Sequence, residues 1–125
     1  MTGEQRPRDI VERTFSFALQ IVRFCREADA KPGVSRILGR QLLRAGTSVG
    51  ANIEEAQAGQ SQADFVSKCA IALKEARETA YWLRLLQASG EFPVERCQPL
   101  VKEAGEIARI LATIIVNTKR SSRTR

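Results

Sequence analysis

Arg36, Arg40 and Arg44 stand at four-residue steps, in a stretch with no acid between Asp29 and Glu54. On a helix this spacing puts them on one face, about 6 Å apart along the axis. A row of guanidinium groups is the chemistry that meets phosphate oxygens. The same row also fits a solvated face, or salt bridges to acids on another helix. A second basic group follows Glu106, after which no acid remains: Arg109, Lys119, Arg120, Arg123 and Arg125. Lys119, Arg120, Arg123 and Arg125 either contact phosphates or complement the negative C-terminal end of a last helix. The whole chain carries +6 with a pI of 9.8, a balance that favours acidic partners such as RNA or DNA.

Other chemistries are poorly supplied. There is no histidine, which removes Ser-His-Asp and Cys-His catalysis, histidine general bases and histidine metal ligands. Glu54 and Glu55 are adjacent and point apart, unlike the Glu-x-x-His pairs of carboxylate-bridged metal sites in bundles. Cys25, Cys69 and Cys97 are odd in number, form no C-x-x-C pair and sit among apolar residues. They read as reduced, buried thiols of a cytoplasmic protein. No cofactor motif is present. No apolar run approaches the ~18–20 residues of a membrane span, and the polar residues 1–10 lack the core of a secretory signal. A non-enzyme without metal, cofactor or membrane partner is expected.

These residues need elements to hold them. Four segments show apolar residues at three- and four-residue steps, the signature of amphipathic helices. They cover about 9–29, 34–58, 62–89 and 94–119, separated by Pro32-Gly33, Gly59 and Ser89-Gly90-Glu91-Phe92-Pro93. Gly59 suits a left-handed residue ending the second helix. Ser61 with Asp64 resembles a capping box opening the third. In the fourth, Cys97, Val101, Ala104, Ala108, Leu111, Ile115 and Thr118 form a heptad seam. No segment alternates in the manner of a strand. Short connections make consecutive helices antiparallel neighbours. The expected fold is all-α, an antiparallel up-down-up-down four-helix bundle over residues 1–119, with a disordered basic tail at 120–125.

Within the second helix, Ala45 to Ala51 are all small or β-branched, and Gly46 and Gly50 fall on one face. Glycine inside a helix costs roughly 1 kcal/mol against alanine. Close approach of another backbone explains two such costs. A phosphate-cradling loop does not, because no Gly-Lys-Ser/Thr ending or preceding strand accompanies them. Asn52 borders the apolar stripe, where it either sets helix register or caps backbone. Tyr81 and Trp82 point about 100° apart on the third helix. Core or interface packing suits them better than base stacking.

The run Gln41-Leu-Leu-Arg-Ala-Gly-Thr-Ser-Val-Gly-Ala-Asn-Ile-Glu-Glu55, then Asp64-Phe65, then Ala72-Leu-Lys-Glu-Ala-Arg-Glu-Thr-Ala-Tyr-Trp-Leu83, resembles the bacterial 23S-rRNA intervening-sequence proteins. The resemblance extends over about residues 10–118. It implies a four-helix bundle that assembles with itself, typically as a homopentamer. It also implies kinship with the basic accessory proteins of diversity-generating retroelements, which are thought to bind nucleic acid. The expected function is therefore a non-enzymatic oligomeric scaffold that binds nucleic acid, structured RNA above all, through basic helix faces. The alternative is a structural or protein–protein interaction module without a nucleic-acid role.

Overall fold

The computed structural model describes residues 7–123, which form four helices: α1 (Pro7–Asp29), α2 (Val34–Gln57), α3 (Gln62–Ala88) and α4 (Val94–Arg123). Proline opens α1, where its missing N–H would have no partner in any case. Gly33 and Gly90 have φ of 87° and 83° and turn the chain between helices, a conformation costly for any residue with a Cβ. Ser61 opens α3, its hydroxyl accepting from the Asp64 N–H at 3.0 Å. The Asp64 carboxylate accepts in turn from the Gln60 N–H at 3.4 Å.

Three features differ from the sequence expectation. Gly59 is not left-handed. The chain leaves α2 through Ala58 at φ −93°, and the Gly59 N–H returns to the Ala56 carbonyl at 3.2 Å, a tight turn that needs no positive φ. The fourth helix does not stop at 119 but continues through Arg123, so residues 120–123 are helical rather than a disordered tail. Thr124 and Arg125 lie outside the described residues. The α4 seam is also rotated. Cys97, Leu100, Ala104, Ile107, Leu111 and Ile114 are buried, and Val101, Ala108 and Ile115 pack at its flank. Both series have heptad spacing. The one holding more large aliphatic side chains takes the centre, because it removes more apolar area from water.

The bundle is antiparallel and runs up-down-up-down. α1 packs on α2, α2 on α3 and α3 on α4, while α1 meets α4 more lightly. The pairings run in opposite directions along each seam. Gly39 lies beside Ala28 and Gly50 beside Thr14, and Arg44 reaches Glu75 and Glu78 while Lys68 reaches Glu55. The α1–α4 side is tied by charge. Arg13 makes two hydrogen bonds to Glu103, at 2.7 and 2.8 Å, and one to Glu106 at 2.6 Å. Arg96 pairs with Glu27 nearer the other end. The Arg13 guanidinium holds Glu106 below the usual carboxylate range.

Phe17, Ile21, Phe24, Leu42, Ile53, Leu83, Leu86, Ile107 and Leu111 fill the core. The buried hydroxyls Thr14 and Thr79 donate to the Ile10 and Glu75 carbonyls of their own helices, at 2.8 and 2.7 Å. They therefore carry no unpaired donor into the apolar interior.

Glycines in α2 set how closely α1 approaches. A Cβ added at Gly39 would lie 2.8 Å from the Ala28 Cβ, and one at Gly46 would lie 2.8 Å from Ile21 Cγ2. At Gly50 it would lie 3.2 Å from the Thr14 carbonyl oxygen. The packing role expected of Gly46 and Gly50 is thus extended by Gly39, one heptad before Gly46. Gly105 in α4 is the opposite case, with nothing within 4 Å of an added Cβ. Gly105→Ala is expected to stabilise the bundle by up to ~1 kcal/mol, because alanine restricts the unfolded chain and favours helix. Thermal melting checks this: a Tm at or below that of the parent would contradict it.

Candidate nucleic-acid interface

The arginine stripe lies on the surface of α2 but is not bare. The Arg36 Nε donates to the Asp29 backbone carbonyl at 3.0 Å and sits 3.8 Å from its carboxylate. The Arg40 Nη2 is 3.7 Å from the same carboxylate. Arg44 bridges to α3, 3.3 Å from Glu75 and in contact with Glu78. The acids missing from the sequence around the stripe are delivered by the end of α1 and one flank of α3. Exposed ion pairs of this kind contribute about 0–1 kcal/mol, yet they cancel much of the local positive field that a phosphate would feel.

Elsewhere cations stand without such partners. On α3, Lys74, Arg77 and Arg84 are exposed, and among the described residues none makes an ion pair. The same holds for Lys102, Arg109, Lys119 and Arg120 on α4. Lys74, Arg77, Tyr81 and Arg84 follow 3-4-3 steps, so they share the outward face of α3, opposite buried Ala72, Ala76, Thr79 and Leu83. Glu75 and Glu78 fall on the flank turned to α2, where Arg44 holds them. On α4, Glu103 and Glu106 turn to Arg13 of α1, leaving Lys102 and Arg109, seven residues apart, on the outward side. Glu95 is the exposed acid at the start of α4. Folding thus sorts a locally mixed charge pattern. Lys74-Glu75-Ala76-Arg77-Glu78 is nearly neutral in sequence and two-sided in space.

The aromatic pair belongs to this region. Trp82 is half-buried, and its indole N–H donates to the Glu78 carboxylate at 3.0 Å. Tyr81 is 52% exposed, its ring 5.2 Å from that of Trp82 in an edge-on arrangement. Arg44, Glu78, Trp82 and Tyr81 therefore form a connected chain from α2 to the outward face of α3. Asn52, expected to set register or cap backbone, donates to the Ser48 carbonyl of its own helix at 2.8 Å. Arg123 ends α4, while its side chain and residue Arg125 lie outside the described ones.

All three cysteines are buried. Burial pushes the Cys25 thiol up to about 12, and its Sγ donates to the Gly39 carbonyl at 3.3 Å. The Cys69 and Cys97 thiols are raised by burial as well. Thiols held protonated in this way are poor nucleophiles. Among the described residues no cluster of three or more Cys, Asp or Glu converges as a metal site. No helix there is long and apolar enough to cross a membrane.

Residues 6–113 match the family described as 23S rRNA-intervening sequence protein. The chain belongs to the 23S rRNA-intervening sequence protein family. A crystal structure of a protein of unknown function from the S23 ribosomal protein family of Bacteroides thetaiotaomicron is similar to it, with 38% sequence identity and a TM-score of 0.82. The similarity covers 89% of this chain and 98% of that one. No functionally curated protein matches. Membership of the 23S rRNA-intervening sequence protein family agrees with the four antiparallel helices, and a shared fold carries no activity by itself.

Proposed function

We propose that this chain is a non-enzymatic, self-associating scaffold of the cytoplasm that binds nucleic acid, structured RNA above all, through its basic surface. One observation carries the reading. The acids of α3 and α4 are largely drawn into interhelical pairs with Arg44 and Arg13, so that, among the described residues, Lys74, Arg77 and Arg84 remain outward without an ion pair, and Lys102 and Arg109 remain outward with only the field of Glu106 near them. Self-association is supported by Phe15 and Leu19 on α1 and Ile37 and Leu43 on α2, apolar side chains left exposed on one chain. A ring of five, as the family resemblance suggests, would gather five copies of a +6 chain on one particle.

The test is binding to a folded RNA as salt is raised. Affinity should fall steeply, with a log–log slope of roughly −0.7 to −0.9 for each phosphate neutralised. Light scattering on the same sample should give a multiple of 13.9 kDa. The exposed apolar α1–α2 surface favours a second reading, a protein–protein interaction module. Absence of RNA binding at low salt, together with an intact oligomer, would replace the first reading with the second.

A further inference from the structure

We infer that the outward face of α3 holds a single-stranded stretch of RNA. Tyr81 stacks on an unpaired base there, and the cations around it meet the adjoining phosphates. This rests on the nucleic-acid reading above and names the place and the class of ligand. Three features of the structure meet at this face.

The first is charge without competition. Lys74, Arg77 and Arg84 make no ion pair among the described residues, whereas Arg36, Arg40 and Arg44 of the α2 stripe all face carboxylates. A phosphate arriving at α3 breaks no existing ion pair. At α2 it would compete with Asp29, Glu75 or Glu78. The second is position. From Lys74 to Arg84 the face runs about 15 Å along the helix, with Tyr81 between the cations. Arg77 and Arg84 stand three or four residues to either side of Tyr81 and are exposed. The third is the ring. Tyr81 is 52% exposed, yet its ring rests edge-on against Trp82, and Trp82 is fixed by its hydrogen bond to Glu78. A ring already held in place loses little conformational freedom when a base stacks on it.

These features select a single strand over a duplex. A stacking platform needs a base whose π-face is free, and base–aromatic stacking with a basic track beside it is the common means of holding single strands. An A-form duplex buries its base faces, and its deep, narrow major groove admits no helix. Loops and bulges of a structured RNA offer what this face can take.

Fluorescence anisotropy with the full chain tests this, using a short mixed-sequence single-stranded RNA and its blunt duplex. The single strand should bind more tightly. Tyr81→Ala should weaken it about tenfold, as loss of one stacked base does, and Tyr81→Phe should bind as the parent does. Lys74→Gln, Arg77→Gln and Arg84→Gln together should flatten the log–log salt slope by about 2, at ~0.7 per lost contact with a single strand. The pair Arg36→Gln and Arg40→Gln should leave it unchanged. Circular dichroism and light scattering on each variant establish equal fold and particle size. Tighter binding of the duplex overturns the inference. So does parental affinity in both Tyr81→Ala and the α3 triple variant, or a Tyr81→Ala effect that appears only as a change in particle size. A parent chain that binds neither RNA at low salt overturns the nucleic-acid reading itself.

Discussion

Gly50→Leu is expected to destabilise the bundle by about 3 kcal/mol, the upper end for overpacking a tight contact. For a chain of this length that amounts to a Tm lower by about 10 °C. The reason lies in what stands opposite. An added Cβ at Gly50 lies 3.2 Å from the Thr14 carbonyl oxygen and 3.3 Å from its carbonyl carbon. These are backbone atoms of α1 and cannot rotate aside. Leucine would place further carbons along the same direction and force α1 away from α2. That movement would open the seam where Ile21 rests on Gly46 and Ala28 on Gly39. Gly50→Ala grades the effect, since its single carbon needs a shift of only a few tenths of an ångström. A parental Tm for Gly50→Leu would mean that α1 does not lie where this structure places it.

The helices were legible because each is bounded by residues with a physical reason to stop or start one. Pro32-Gly33 and Ser89-Gly90 break the pattern where the structure breaks it, and both glycines adopt positive φ. Ser61 caps α3 through the Asp64 N–H. The sequence is ambiguous where its local signals are degenerate. Two heptad series run through α4, and only the neighbours decide which is central, so Leu100, Ile107 and Ile114 lie deeper than Val101, Ala108 and Ile115. Gly59 looked like a helix-ending glycine, but a short turn through Ala58 served instead. Gly46 and Gly50 stood out as a four-residue pair. Gly39 did not, because a single glycine seven residues away has no local partner.

The basic surface was harder to read, since charge in sequence is not charge in space. Arg36, Arg40 and Arg44 have no acid near them in sequence, yet Asp29, Glu75 and Glu78 reach them from other helices. Lys74, Arg77 and Arg84 carry no such signal in the chain, because acids sit next to two of them. Helical phase was the signal available. Residues 74, 77, 81 and 84 share one face, while 75 and 78 turn to another. What phase alone could not supply was the location of Arg44, which decides where the carboxylates go.

Phe24→Ala should cost about 4 kcal/mol, the usual range for truncating a buried phenylalanine. Phe24 is 1% exposed, and its ring lies 4.5 Å from that of Phe92, itself 4% exposed in the α3–α4 connection. Two cations cover the pair. Lys31 Nζ is 3.9 Å from the Phe92 ring centre, and the Arg96 guanidinium is 5.4 Å from that of Phe24. The cluster therefore fastens the end of α1 to the start of α4, on the side where the two helices otherwise meet lightly and mainly through ion pairs. Removing the Phe24 ring leaves a cavity that the connection cannot fill, since Phe92 is held by Lys31 and by the Phe92 N–H to the Leu86 carbonyl at 3.3 Å. Phe92→Ala should be costly for the same reason, and the double variant should lose less than the sum of the two. The difference, about 1 kcal/mol, is the worth of the aromatic pair itself. Urea denaturation of the four chains in the cycle provides the measurement. Strict additivity would show that the two rings act independently.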